Sequence, residues 1–476
     1  MFKYQAVNNN RRSTANFVLC GVFLLLTNSA FMAHSASNVP QISEQQLTPT
    51  YWQAKPASDS EVRMTNSQIS DFNQNLFSTN PHMVKPLEMA SVLDKNTLTK
   101  KIASISSTPE SARFYADGSQ LTPAHFQSFL DNTNLNNVQD SNKVHFGLVV
   151  KRAALRTFPT ENRVFNQSMD LDLDRFQETA VFPGEAVAIL HESADGLWFL
   201  VQNYNYLAWV KQDAIAIGDK QKILKFVDNQ EFLLVTGAKV FTNYVPMQPQ
   251  ISQVQLDMGV KLPLVADEQQ QVALYGQSTA ATYQVTLPVR NDDGSLRFQT
   301  ALIGRTQDVT KGFIPFTTEN LIAQGFKFLG ERYGWGHDYN GRDCTGFVGE
   351  IYKTFGILMP RNSGQQGQGD YGTNFRFDKS SDTSSKMTVL SQLHIGDLIY
   401  IPGHVMMYLG EENDQPIIIH DVKGLAYWTP DGEYYSGVLN AVSVTPLLTL
   451  QLNKKTTYVD RIYNIKRISL QNESGN

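Results

Sequence analysis

R-Y-G-W-G-H-D-Y-N-G-R-D-C-T-G-F-V-G-E-I-Y-K-T-F-G-I-L-M-P-R-N-S-G-Q-Q, residues Arg332 to Gln366, decides how this chain is read. A loop rich in glycine (Gly334, Gly336, Gly341) delivers Asp343 and Cys344 to the first turn of a predicted helix. Phe347, Ile351 and Phe355 recur on one row, Val348 and Tyr352 on the next, which is helical spacing. Gly356 stands where a helix stop belongs, and Pro360 follows. The first N–H groups of such a helix lack partners, and its dipole is positive there, so Cys344 is placed where thiolate is favoured over thiol.

A nucleophilic thiol needs a base, and two histidines lie on predicted strands downstream. His404 opens H-V-M-M-Y-L-G, and His420 sits in the apolar run P-I-I-I-H-D-V, which reads as a buried central strand. Adjacent strands carrying both imidazoles would set one against the sulfur and the second behind it as orienter. Cysteine before histidine, helix before sheet, is a papain-like order. The other histidines, His337 included, read as solvated or core imidazoles, and one cysteine with scattered histidines lacks zinc-ligand spacing. No cofactor is implied.

Working outward, 476 residues suggest about three domains, and a net charge of −5 leaves no basic footprint for nucleic acid. Lys3, Arg11 and Arg12, then F-V-L-C-G-V-F-L-L-L and small residues to Ala36, read as a secretory signal over residues 1–36, too short to span a bilayer. A lipid anchor on Cys20 or an uncleaved anchor are the alternatives. Cleavage would leave Cys344 alone in an exported protein, in an oxidising setting where a spare thiol is unusual. The competing reading is a buried cysteine acting as a small hydrophobe.

Residues 37–140 are polar, with helical patches at Leu87 to Leu98 and Thr122 to Leu130, and read as a helical cap on the later domains. Residues 141–219 and 220–310 alternate in short strands with turns at Ala194-Asp195-Gly196 and Asp292-Asp293-Gly294, the texture of two SH3-like β-barrels. Residues 311–476 hold a helix over 317–333 with Leu321, Phe328 and Leu329 facing the core, the cysteine helix, a serine-rich loop at Lys379 to Lys386, the histidine strands, and a closing alternation from Tyr458 to Ile468. The expected fold is therefore an α+β papain-like catalytic domain behind two SH3-like barrels and a mostly helical N-terminal region.

The blocks Tyr333-x-Trp335-Gly336, Gly341-x-Asp343-Cys344-Thr345-Gly346-Phe347, Leu358-Met359-Pro360-Arg361-x-Ser363, Gly396-Asp397-Leu398, His404-Val405 and His420 resemble the NlpC-type cell-wall cysteine peptidases. They are particularly similar to γ-D-glutamyl-L-diamino acid endopeptidases carrying bacterial SH3-like domains. The resemblance covers roughly the last third of the chain and implies a hydrolase acting on peptidoglycan stem peptides or muropeptides in the periplasm. It implies Cys344 as nucleophile, His404 as base, His420 as orienter, and Tyr333 with the Cys344 N–H for the oxyanion. Asp343, Thr345 and Ser363 would bind the substrate ammonium; the other reading of Asp343 is a helix N-cap. Tyr206 and Glu185, with Glu178 as rival, would close the cleft over a free L-alanyl terminus. His337 departs from the pattern, which usually has glycine there. The rival functions are a non-catalytic wall-binding protein and an amidase or acyltransferase on another substrate.

Overall fold

Helix Cys344–Lys353 and the sheet beneath it place the site, and the computed structural model describes them within residues 39–470. The proposed signal lies outside the described residues. The helical row read from sequence is realised: Phe347, Val348, Ile351, Tyr352 and Phe355 are all fully buried. Burying each such side chain contributes about 1.5–3 kcal/mol. The helix stops at Lys353, and Gly356 follows with φ +85, the left-handed turn that ends many helices.

The sheet has six antiparallel strands in the order Thr373–Arg376, Asn464–Arg467, Leu398–Ile401, His404–Glu412, Gln415–Trp428, Tyr434–Pro446. Val405, Met407 and Leu409 face the helix-side core, while Met406 faces a second cluster with Ile418. The sheet is thus covered on both faces, which explains the nearly continuous apolar run around His420. Three expectations need correction. The helix expected over 317–333 ends at Phe326; Phe328 is buried from the turn that follows, where Gly330 takes φ +80. The serine-rich loop becomes helix Thr383–Leu390, because Asp382 caps it by accepting from the Ser385 N–H. The final alternation holds a short helix, Tyr458–Arg461, and its strand inserts second from the sheet edge.

Ahead of this lie two β regions. The first is a seven-stranded antiparallel sheet in the order Gln177–Val181, Ala153–Arg156, Leu207–Lys211, Trp198–Gln202, Ala186–Glu192, His145–Val149, Ile215–Ile217. Its ladder runs between two distinct edge strands, and Gly196 takes φ +68 in the expected hairpin turn. Helix Lys220–Val227, capped by Asp219, leads to the second region. There the strand pair Thr282–Arg290 and Leu296–Gly304 turns at Gly294, beside a three-stranded sheet and smaller ladders. The closed barrels expected from the texture are therefore not seen as continuous ladders.

The N-terminal region mixes elements. Thr122 caps helix Pro123–Asn132 with proline at its start, as the Thr-Pro pair predicts, whereas Leu87 to Leu98 divides into a 3-10 turn, strand Val92–Asp94 and the start of helix Lys95–Ile105. Trp52, Met64, Ile69, Phe72 and Leu76 enter the same core as the cysteine helix, while Leu98 and Ile102 join the core of the β regions. Among the described residues, no helix is long and apolar enough to cross a membrane.

Candidate active site

Cys344 is the first residue of its helix, and Asp343 caps it. Asp343 Oδ1 accepts from the Gly346 N–H at 2.8 Å and the Thr345 hydroxyl at 3.0 Å; Oδ2 accepts from the Gly336 N–H at 3.1 Å and Arg361 Nη2 at 2.7 Å. Four donors use the lone pairs of one carboxylate. The N-cap reading of Asp343 thus holds, and an ammonium group would find no vacant lone pair on it. Burial pushes the Asp343 carboxyl up, but the Arg361 guanidinium, with the Gly346 N–H, outweighs burial and holds it far below the ordinary range.

His404 opens its strand at the edge of this helix start, where the Val405 N–H points at the Cys344 sulfur. His404 Nε2 lies 2.9 Å from His420 Nδ1, and His420 Nε2 lies 3.0 Å from Thr445 Oγ1. The tautomers suited to a base are His404 Nε2–H donating to His420 and His420 Nε2–H donating to Thr445. That leaves His404 Nδ1 as the nitrogen to take the thiol proton. Tyr458, whose ring stands 6.4 Å from the His404 ring, flanks the pair. Burial and then Asp343 push the Cys344 thiol up to about 12, while burial takes His404 down to about 4. The resting pair is therefore thiol and neutral imidazole, and the thiolate expected from the helix start alone is overridden by desolvation and the adjacent carboxylate. Tyr333 is buried, and burial, followed by its proximity to Cys344 and Asp343, holds its phenol protonated.

Tyr206 reaches this half of the molecule through Glu178, whose carboxylate accepts from the Tyr206 and Thr157 hydroxyls. Glu185 does not join them; its Oε1 pairs with Lys353 Nζ at 2.6 Å, at the far end of the cysteine helix. Glu185 is one residue past a turn, whereas Glu178 lies on strand Gln177–Val181, which runs against the loop before Cys344. Ser363 begins a short helix beside Arg361, and its neighbour Asn362 hydrogen-bonds Tyr206. Arg361 also reaches Thr179, Thr345 and His337 Nδ1, while His337 Nε2 meets Glu350 at 3.1 Å. His337 is a neutral structural imidazole, held below its ordinary pKa by burial and then by Arg361. Its φ of +65 is unusual for a side-chain residue, and its neighbour Gly336 (φ +56) has space for none: a Cβ there would lie 2.9 Å from the Glu178 carbonyl.

Sequence reasoning missed Thr445, Tyr458 and Asp421. Asp421, next to His420, is fully buried, and neither of its oxygens has a hydrogen-bond partner among the described residues. Burial, followed by Asp343, raises its carboxyl far above the ordinary value, so it is held protonated. A threonine two strand positions from a turn and an acid beside a histidine carry no motif; only the pairing of His420 with Ser443 and of Ile418 with Thr445 reveals them. A cavity of about 720 Å³ lined by Lys55, Arg63, His394 and Glu411 among others includes none of the site residues.

A cysteine at a helix start, a histidine row on the adjoining sheet and a buried phenol define the machinery of a papain-like cysteine peptidase. Residues 330–443 match the NlpC/P60 family and residues 163–211 an SH3 domain of the SH3b1 type, so the chain carries an NlpC/P60 domain behind an SH3b domain. It is 27% identical over 255 residues to a γ-D-glutamyl-L-lysine dipeptidyl-peptidase of Bacillus cereus, covering 50% of this chain and 66% of that protein. It is 34% identical over 115 residues to a probable endopeptidase p60 of Listeria welshimeri, covering 22% of this chain and 18% of that protein. A solved NlpC/P60 endopeptidase from Photobacterium damselae subsp. piscicida shares the fold, with a TM-score of 0.69 at 19% identity over 88% of this chain and 96% of that one.

Proposed function

We propose that the protein is an exported cysteine peptidase that hydrolyses the γ-D-glutamyl–diamino acid amide bond of peptidoglycan stem peptides with a free L-alanyl terminus. The observation that supports this is the His404–His420–Thr445 row, borne by the strand whose Val405 N–H reaches the Cys344 sulfur. His404 Nδ1 takes the thiol proton as sulfur attacks the γ-carbonyl of D-glutamate, and the oxyanion is met by the Cys344 N–H and the Tyr333 hydroxyl, each donor contributing about 3 kcal/mol. His404 then protonates the departing amine, and water, deprotonated by the same nitrogen, hydrolyses the thioester. Because the resting pair is neutral, proton transfer accompanies attack instead of preceding it.

The similarity to a γ-D-glutamyl-L-lysine dipeptidyl-peptidase supports the choice of substrate. Glu178 and Tyr206 supply the closure of the cleft, with the Glu178 carboxylate receiving the L-alanyl ammonium; Ser363 and Thr345 line the same end, and Asp343 contributes charge through its own filled hydrogen bonds. The second β region acts as a further SH3-like module. Assaying L-Ala-γ-D-Glu-L-Lys and its diaminopimelate counterpart with Cys344→Ala tests the chemistry: turnover should vanish, and full activity in that variant would end the proposal. Acetylating the substrate's amino group should cut kcat/KM sharply, and equal turnover of blocked and free peptides would discard the exopeptidase-like preference.

A further inference from the structure

The turn Asp257-Met258-Gly259 of the second β region has no part in the chemistry described, yet it is driven into the catalytic core. Met258 is buried within the cluster that surrounds the cysteine helix. Gly259 has φ +83, and a Cβ there would lie 2.9 Å from the Lys353 side chain, so the turn abuts the last residue of that helix. Asp257 is fully buried, and its Oδ1 lies 3.1 Å from Arg342 Nη2 and 3.5 Å from Arg152 Nε. Arg342, two residues before Cys344 and itself fully buried, completes its fork on Glu350 (2.7 Å), Glu331 (2.6 Å) and the Ala238 carbonyl (2.7 Å). Arg152, from the first β region, donates to the carbonyls of His337 and Gly341, each at 2.9 Å.

Asp257 therefore joins Arg342, which belongs to the peptide leading to the nucleophile, to Arg152, which holds two carbonyls of the same peptide. That peptide needs holding, because His337, Tyr339 and Asn340 all carry positive φ, a conformation that persists only when its surroundings impose it. The charges also balance: Arg342, Arg152 and Lys239 face Asp257, Glu331 and Glu350. We propose that Asp257 is a positioning residue for Cys344, so that the second β region acts in catalysis by fixing the backbone of residues 341–343. It touches no substrate; it acts through Arg342 and Arg152.

The inference rests on Cys344 as nucleophile, which Cys344→Ala tests separately. In the full chain, Asp257→Asn keeps the shape and removes the charge. Against L-Ala-γ-D-Glu-L-Lys, kcat should fall roughly tenfold with KM within about twofold, since small displacements of a reacting group cost rate more than binding. Iodoacetamide alkylation of Cys344, which needs no substrate, should move to lower pH, because the guanidinium groups lose a compensating carboxylate and favour thiolate. Asp308→Asn is the control: it breaks the 2.7 Å pair with Lys327 between the same two modules, away from the nucleophile, and should leave kcat and alkylation unchanged. Arg342→Lys keeps the charge but loses the fork, and should reproduce the fall in kcat even if Asp257→Asn fails to fold. A parental kcat in folded Asp257→Asn or in Arg342→Lys, an effect on KM alone, an unmoved alkylation profile, or an equal loss in Asp308→Asn would each overturn it.

Discussion

The two β regions grip the same loop before Cys344, but with different chemistry. The first sends polar side chains toward the proposed substrate end: Glu178 meets Tyr206, Thr179 touches Arg361, and Gln177 Nε2 donates to the Gly336 carbonyl at 2.7 Å. The second sends a buried turn whose Asp257 meets two arginines and the Gln255 amide, plus an exposed amide pair between Gln255 and Asn340. A module can thus serve a site either by lending groups to the cleft or by fixing the backbone behind the nucleophile. Burial separates the two roles, because a desolvated ion pair resists displacement in a way that a solvated contact does not.

The largest effect should come where the first region meets the cysteine helix. Arg361 is buried and bridges Thr179 to Asp343 and Thr345, so Arg361→Met leaves the Asp343 carboxylate in the interior without its cation. Removing one partner of a buried pair costs about 3–5 kcal/mol, to be read from urea unfolding at pH 7. The pH dependence fixes the assignment. Asp343 has a folded pKa below its unfolded value of about 3.9, so its contribution is fully present above that value and is lost as pH falls below it. Arg361→Met should remove that acid-side slope, and a slope identical to the parent's would place the stabilisation elsewhere.

Next in size is Glu178→Gln, which removes the proposed ammonium receptor while retaining hydrogen bonds to Tyr206 and Thr157. A charge-assisted hydrogen bond contributes about 1.5–3 kcal/mol, so kcat/KM for the free-amino peptide should fall roughly tenfold to a hundredfold. The amino-blocked peptide should be turned over as before. If both substrates lose equally, Glu178 holds the cleft's shape and recognises no amine.

The helix carrying Cys344 was legible because its determinants are local: spacing, a cap and a left-handed glycine. The two histidine strands were legible because burial on both faces writes an apolar run. What did not show is what depends on lateral pairing. Thr445 reaches His420 only across a ladder, and Glu178, not Glu185, meets Tyr206 because it lies on the strand beside the loop at Gly336. The thiolate expected at Cys344 failed for a related reason: the helix start is visible in sequence, whereas the burial that overrides it belongs to the packed core. Asp257, some eighty positions upstream, offered no signal beyond a turn.

The smallest expected effect makes the comparison sharpest. Gln255 Nε2 lies 2.7 Å from Asn340 Oδ1 and Asn340 Nδ2 lies 2.9 Å from Gln255 Oε1, a reciprocal pair joining the second β region to the loop two residues from Asp257. By geometry it is as well made as the contacts of Asp257, but both bonds are exposed, and water replaces each at little cost. Gln255 also donates to both oxygens of Asp257, so the pair is broken from the loop side: Asn340→Gly, which suits the φ of 55 there, should change unfolding free energy by no more than about 0.5 kcal/mol and kcat by less than about twofold, measured beside Asp257→Asn. A loss matching that of Asp257→Asn would mean that any tether from this module suffices to hold the loop, and that burial of the carboxylate is not what distinguishes it.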